Sequence, residues 1–337
     1  MPGARRATAR DVAARARVSV GTVSKAFSGR GAVSDATRRR IMDVAAELGY
    51  DGGARLGGSD EPRARTVGLI TSDRFGRLTV PVLLGAIETL AEQEIALIVC
   101  DGRGDPIREQ HFIETLLRRH VDGILVTGTG ISSRNSIGRD LSVPVVYALS
   151  WSRDPSDFSV IPDDAAGAAA VAQHLIDTGR RKIAFASGPS AIQDSAPARL
   201  AAITRVLEAN SLALAHEPLY GEWTESWGRQ AAAQILASGR EVDAIICGND
   251  QLARGCVETL RDKGVQVPRD VAVVGFDNWD VMVEATRPQL STVELNLGAV
   301  GHVAARELLN AIGGRPPSPG IERLPTRVVP RGSSAVM

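Results

Sequence analysis

Cysteine, aromatic side chains, net charge and long apolar runs are all scarce in this chain. Its three cysteines, Cys100, Cys247 and Cys256, are an odd number with no Cys-x-x-Cys pair. That excludes a disulfide framework and a thiolate metal site, and leaves the three as small buried apolar residues. Five histidines, His111, His120, His174, His216 and His302, are scattered without an HExxH or any other helical ligand pair, so no metal is expected. No apolar stretch approaches the roughly 20 residues that span a bilayer. The opening MPGARRATAR has no apolar core of a secretory signal. The expectation is a soluble cytoplasmic protein with no membrane partner. Catalytic signatures are missing too: there is no GxSxG elbow, no GxxxxGK(S/T) loop, and no GxGxxG after the first strand, where the chain reads TSDRFGRLTVP. Gly128-Thr129-Gly130 is too short a glycine signal to weigh. Neither an enzyme nor a cofactor is expected.

What is present is charge of one sign at one end. The 337 residues balance 39 Lys and Arg against 39 Asp and Glu, but residues 1–40 hold ten basic and two acidic side chains, a local +8 that leaves −8 for the rest. A cationic end on an acidic body suggests a polyanion-binding segment, because attraction to phosphate follows local charge. A solvated basic tail is the plain alternative. The length fits two to three domains, and 44% hydrophobic content supports a real core.

The first fifty residues carry three helical patterns. Thr8 with Asp11 makes a capping-box-like start to a helix over about 9–16, whose small apolar face is Val12, Ala13 and Ala16. Ser19 caps a second helix, with Val20, Val23, Ala26 and Phe27 recurring at three- and four-residue steps and Gly21, Thr22, Ser24, Lys25 and Ser28 on the other face. Ser34 caps a third, carrying Ile41, Val44, Ala45 and Leu48 before Gly49. A helix, a tight turn and a second helix with a small polar outer face fit a major groove, where Thr22 and Ser24 can reach phosphates and Lys25 a guanine edge.

The string ATARDVAARARVSVGTVSKAFSGRGAVSDATRRRIMDVAAELGY resembles the DNA-binding headpiece of the lactose/galactose repressor family. The resemblance implies a double-stranded DNA operator as partner, base reading at Val20, Gly21 and Lys25, and phosphate contacts at Thr8, Ser19, Thr22, Ser24, Ser28, Ser34 and Thr37. Val20 and Gly21 have no side-chain hydrogen-bonding group, so Lys25 is expected to carry most of the direct readout. Residues 51–65, DGGARLGGSDEPRAR, are a flexible connector by composition. In the family a short hinge helix here wedges a leucine into the minor groove. Leu56 is the candidate wedge, but it lies six residues past Tyr50 rather than about nine, and the glycines weaken any helix. The alternative is a plain tether.

From Thr66 onward short apolar runs alternate with helical stretches, the pattern of parallel sheets with crossover helices. Strands are expected at 66–71, 95–101, 121–128, 143–149, 181–187, 242–248 and 271–277, and helices at 82–93, 107–119, 165–178, 198–209, 226–237 and 251–263. VDGILV at 121 and VDAIIC at 242 are an internal echo that suggests two similar lobes, against the alternative of one large sheet. The body resembles the effector-binding region of the same repressors, itself similar to periplasmic sugar-binding proteins, on the strings VDGILVTG, HLIDTGRRKIAFASGP, GNDQLARGCVETLRDKGVQVPRDVAVVGFDN and PQLSTVELNLGAVG. The expected fold is thus a small all-α helix-turn-helix headpiece over 1–50, a linker over 51–65, and a two-lobed α/β body over 66–337 with two parallel sheets. One lobe would hold about 66–161 and 292–322 and the other about 162–291 and 323–337, joined by three crossovers.

Ligands of open α/β sheets lie beyond the carboxyl ends of the strands. Trp151, Tyr220, Trp223, Trp227 and Trp279 fall near such ends and suggest an aromatic-lined cleft, since a ring packs on the apolar face of a sugar. Asn249, Asp250 and Asp277 could meet ligand hydroxyls, with helix capping as the alternative for each. Arg199 could make a bidentate contact, with a surface ion pair as the alternative. The resemblance places Arg199, Trp223, Asn249 and Asp277 on ligand-contacting positions. It departs at Leu149, where many sugar-responsive members carry an aspartate. The reading is a homodimeric transcription regulator, a repressor controlled by a small-molecule effector, expected to be a sugar, with helices 82–93 and 251–263 as dimer candidates. The alternatives are a sugar-sensing module acting through a protein partner and a regulator with a purine-type corepressor.

Overall fold

The structure is a computed structural model that describes residues 8–28, 33–48, 50, 65–73, 76–128, 130–138, 141–189 and 194–335. Leu56 and residues 51–64 of the expected linker lie outside the described residues. The chain divides into two compact units, Met1–Ala64 and Arg65–Met337.

In the first unit α1 spans Ala9–Ala16, α2 Val20–Ser28 and α3 Asp35–Leu48. Each starts where a hydroxyl can take an orphan backbone N–H. The Thr8 and Asp11 side chains satisfy each other's backbone in a capping box, Thr22 N donates to Ser19 Oγ at 3.0 Å, and Thr37 N donates to Ser34 Oγ at 3.3 Å. Val12, Ala13, Ala16, Val23, Ala26, Ile41 and Ala45 form the buried centre, with Phe27, Leu48 and Tyr50 around it. Phe27 and Tyr50 meet edge to face at 5.6 Å. Residues this small let three short helices approach closely.

The second unit opens with β1 (Thr66–Thr71), α4 (Thr79–Ala91), β2 (Ala96–Asp101), α5 (Pro106–Arg118), β3 (Gly123–Thr127), β4 (Ser133–Arg134), β5 (Val145–Ala148), β6 (Trp151–Ser152) and β7 (Phe158–Pro162). It continues with α6 (Asp164–Asp177), β8 (Ile183–Ser187), α7 (Ser195–Ala209), β9 (Leu219–Tyr220), α8 (Glu225–Ala237), β10 (Ala244–Cys247), α9 (Asp250–Asp262), β11 (Ala272–Val274) and α10 (Asp280–Ala285). The last elements are β12 (Thr292–Glu294), α11 (Leu297–Ile312), β13 (Gly320–Leu324) and β14 (Arg327–Val329). There are two main sheets rather than one. A parallel six-stranded sheet in the order β13-β7-β5-β3-β1-β2 carries the first lobe, and a parallel four-stranded sheet in the order β11-β10-β8-β9 carries the second. β12 pairs antiparallel with β14, and the backbones of Val293 and Gly275 bond to each other, which attaches this pair to the second sheet.

The chain passes between lobes three times: from β7 into α6, from β12 into α11, and from β13 into β14. Strands covered by helices on both faces read as unbroken apolar runs, and β1, β3, β8 and β10 do so. The expected helices all form: α5, α6, α8 and α9 start one residue early at side-chain caps, and α4 and α7 start three residues early without one. Asp105 accepts Ile107 N, Asp163 accepts Ala166 N and Asn249 accepts Leu252 N. Absent from the sequence-based expectation were α10, α11, and the strands β4, β6, β7, β9, β12, β13 and β14.

Glycines bring helices to backbone contact in both lobes. A Cβ on Gly85 of α4 would meet the Gly298 carbonyl of α11, and one on Gly301 would meet Val82 O. In the second lobe a Cβ on Gly228 of α8 would meet Leu252 O of α9, and one on Gly255 would meet Glu225 O. Gly228→Val and Gly301→Val should each cost about 1–3 kcal/mol by overpacking, read as a lower denaturant midpoint at unchanged slope.

Candidate functional site

The outer face of α2 meets solvent where the sequence places its base-reading residues. Val20 is 46% exposed, and Gly21 and Lys25 are exposed as well. Thr22 and Ser24 are half-buried beside them. The hydroxyls expected at phosphates have local partners: Ser19 Oγ and Thr22 Oγ1 lie 2.8 Å apart, Ser34 Oγ donates to Thr37 Oγ1 at 2.8 Å, and Thr8 Oγ1 donates to Asp11 at 2.6 Å. Their first structural job is capping. Those caps hold the first turns of α2 and α3, whose backbone N–H groups and dipoles suit an anion. The Ser28 side chain is outside the described residues.

In the second unit a cavity of about 220 Å³ lies between the lobes, lined by Asp73, Gly76, Arg77, Leu78, Gly130, Ile131, Ser195, Arg199, Trp223, Gly248 and Asp277. It sits at the carboxyl ends of strands from both sheets. Arg199, from the second turn of α7, is 3% exposed. It binds Asp164 with Nε at 2.8 and 2.9 Å and Nη2 at 2.7 Å, donates Nη1 to Gly248 O, and lies 4.1 Å over the Phe276 ring. Two of its five N–H groups remain for a ligand. Burial raises the Asp164 carboxyl from its ordinary value, opposed by Arg199. Arg199 is therefore a buried ion pair and not the surface pair that was the alternative to a ligand contact.

Asp277 is held at φ +101°, a conformation costly for a side chain bearing a Cβ and one that tends to mark functional positions. Its carboxylate accepts Arg77 Nε at 2.5 Å, and Arg77 Nη1 reaches Gln251 at 3.2 Å. Arg77 belongs to the first lobe and both acceptors to the second, so the pair spans the cleft. Asp250 lies directly beneath, accepting Trp279 N at 2.7 Å and Thr292 Oγ1 at 2.5 Å. Burial and the Asp277 carboxylate push it well above its usual range.

Asn249 is fully buried. Its Oδ1 caps α9 while its Nδ2 has no partner among the described residues. Capping, the alternative reading, thus accounts for half of this amide. Among the described residues, Thr127 Oγ1, Ser150 Oγ and Ser187 Oγ are likewise buried without a partner. Buried polar groups are ordinarily satisfied, and these four all stand at carboxyl ends of strands. Leu149, at the family's aspartate position, is fully buried in the core and supplies no polar atom.

The tryptophans are not brought together. Trp223 alone lines this cavity, its ring lying where a Cβ on Gly188 would be. Trp279 lines a neighbouring cavity of about 610 Å³ on the other side of Arg77 and Asp277. Trp227 Nε1 donates to Ser187 O at 2.9 Å, and Trp151 pairs through β6 with β4 and packs on the first-lobe core. An aromatic at a strand end can face either side of the sheet, and position in the chain does not decide which. Arg77 and Asp73 were missed because loop residues after a strand carry no periodicity, and Ser195 because α7 opens three residues before the expected start at 198. Cys247 and Cys256 are buried as expected, their sulfurs 3.6 Å apart. No cluster of three metal-binding side chains occurs among the described residues.

Residues 8–52 match the profile described as bacterial regulatory proteins, lacI family, and residues 172–334 match a periplasmic binding protein-like domain. The HTH-type transcriptional regulator MalR of Streptomyces coelicolor is 32% identical over 96% of this chain and 96% of its own length. Catabolite control protein A of Priestia megaterium is 29% identical over 96% and 98%. Among solved structures, the complex of transcriptional regulator CelR with cellobiose is 29% identical, with a TM-score of 0.66, covering 97% of this chain and all of that one. The lac repressor dimer bound to operator and an anti-inducer, 24% identical, shares the fold at a TM-score of 0.72 over 98% of this chain and all of that one. The chain belongs to the lacI family of bacterial regulatory proteins and is a DNA-binding transcription regulator with a periplasmic-binding-protein-like body.

Proposed function

We propose that the protein is a cytoplasmic repressor that grips its operator as a homodimer and is controlled by a small polyol captured between the lobes. The observation that carries this reading is the cavity where Trp223, Arg199 and Asp277 meet: one ring face for the apolar side of a sugar, with charged donors and acceptors for its hydroxyls. A flat nucleobase would call for rings on both faces, and Trp223 is the one tryptophan lining this space.

A hydroxyl that reaches Asp277 competes with Arg77 for the carboxylate. Binding therefore exchanges a lobe-to-lobe link for a lobe-to-ligand one and shifts lobe closure. Residues 51–65 connect that shift to the headpiece. Such coupling is typically about 1–3 kcal/mol and is reciprocal, so operator DNA must alter effector affinity by the same factor.

For the dimer, α4 presents Val80, Leu84 and Ile87, 38, 54 and 40% exposed, at four- and three-residue steps along one face. The outer face of α9, the other candidate, is instead taken up by Arg254 and Glu258 in ion pairs with Glu225 and Arg229 of α8. We assign the dimer chiefly to α4. A headpiece alone buries too little DNA to be selective, and two-fold symmetry supplies the second half-site.

Lys25→Ala should weaken operator binding in a mobility-shift assay and leave effector affinity intact, whereas Asp277→Ala should abolish the effector response and leave operator binding intact. Loss of both activities in either variant contradicts the assignment. Failure of the parent chain to shift its own promoter DNA at low salt, with and without sugars, would favour action through a protein partner. Leu84→Glu should convert the dimer to a monomer in sedimentation analysis and lower operator affinity by at least about tenfold, or 1.4 kcal/mol.

A further inference from the structure

Three consecutive arginines, Arg38, Arg39 and Arg40, lie near the start of α3 in the headpiece. The amino-terminal end of a helix carries partial positive charge, so cations there are disfavoured unless they meet something else. Arg39 and Arg40 are exposed and have no side-chain partner among the described residues. Arg38 is half-buried, and its Nη1 donates to the backbone carbonyl of Ala26 at 2.6 Å. Ala26 lies in the last turn of α2, whose carbonyls have no partner within their own helix and carry partial negative charge. The guanidinium therefore closes the carboxyl end of α2 from the neighbouring helix.

Lys25 belongs to the same turn. What α2 supplies to the buried centre is small: Val23 and Ala26, with Phe27 at its margin. Contacts of this kind are non-directional, so they press α2 against its neighbours and do little to fix its rotation about its own axis. A hydrogen bond has a preferred direction. Among the described residues, Arg38 to Ala26 is the one side-chain hydrogen bond between α2 and α3. The Arg15–Glu47 pair between α1 and α3 is 3.4 Å long with side chains 63 and 60% exposed, and exposed pairs of that kind contribute little. The rotation of the helix that carries Val20, Gly21 and Lys25 thus depends on an arginine of the next helix.

We propose that Arg38 is a positioning residue for sequence recognition: it sets the rotation of α2, and with it the aim of Lys25 at a base edge, and is not itself a ligand of the phosphate backbone. The proposal rests on Lys25 reading a base. The two roles differ in what they do to binding. A phosphate ligand serves every sequence alike and contributes about one unit to the slope of log affinity against log salt. A positioning residue serves only the sequences that α2 reads, and its loss leaves that slope where it was.

The test is selection of duplexes from a random pool by the full chain, followed by affinity measurement across a salt series on an enriched duplex and on a scrambled one. Arg38→Ala should bind the enriched duplex about tenfold more weakly, the loss expected of a hydrogen bond from a charged donor, and should keep the scrambled affinity and the slope. Arg38→Lys keeps a charged donor, should recover part of the preference, and serves where the alanine variant fails to fold. A slope lower by about one unit, with equal loss on both duplexes, makes Arg38 a phosphate ligand and overturns the proposal. So does full parental preference in Arg38→Ala or, where that variant is unfolded, in Arg38→Lys. Lys25→Ala should lose the preference as well. Preference kept in Lys25→Ala overturns the base reading, whereas preference kept in Arg38→Ala beside a loss in Lys25→Ala overturns the positioning role alone. A parent chain that enriches no duplex overturns both.

Discussion

Two lobes joined by three strands of chain cannot separate, slide or rotate freely, and this constraint shapes the rest of the ligand-binding body. The passes at β7–α6, β12–α11 and β13–β14 leave closure about one axis as the easy motion. The polar links between the lobes lie where closure would act. Arg77 reaches from the first lobe to Asp277 and Gln251 of the second, and Ser133 reaches Asp194. These links are polar, and they stand beside an apolar core that itself contains residues of both lobes, Val67 and Leu69 of the first with Val171 and Phe185 of the second. A ligand able to replace either link acts on the polar part of the contact between the lobes.

The carboxyl ends of the strands are where parallel sheets leave backbone and side-chain polar groups turned toward one another. Here those positions hold Thr127, Ser150, Ser187 and Asn249 with buried atoms lacking partners, together with Asp277 at a positive φ. A core selected for stability alone would replace them by apolar residues. None of the four is among the cleft's lining residues, and Ser150 lines a cavity of about 510 Å³ in the first lobe. Nearby, Asp164 and Arg199 show the opposite arrangement: a fully paired ion couple that fixes the cleft wall and commits most of the arginine's donors in advance.

The headpiece was legible almost residue by residue because its determinants are local. Thr8, Ser19 and Ser34 cap the helices that follow them, and small apolar residues recur at helical spacing. The central strands were legible for a different reason, being apolar throughout as burial on both faces requires. What escaped is informative. In β13 the residues Gly320–Leu324 alternate between exposed and half-buried at a sheet edge, so the stretch reads as a loop. Helix α11 begins at Asn296 in a left-handed conformation without a side-chain cap, and carries Gly298 and Gly301 in its first turns; propensity there argues against a helix that tertiary packing imposes. The site residues Asn249, Asp277, Arg199 and Trp223 were placed by likeness to relatives. Trp151, Trp227 and Trp279 were grouped on chain position, which does not tell the two faces of a sheet apart. Arg77 lay in a segment with no pattern to read.

The glycine crossings have a consequence for how force travels. Where α4 meets α11 and α8 meets α9, main chain rests on main chain, with no rotamers between to yield. Each lobe is thereby a stiff lever arm rather than a cushion. Displacement begun in the cleft meets little side-chain slack at these crossings.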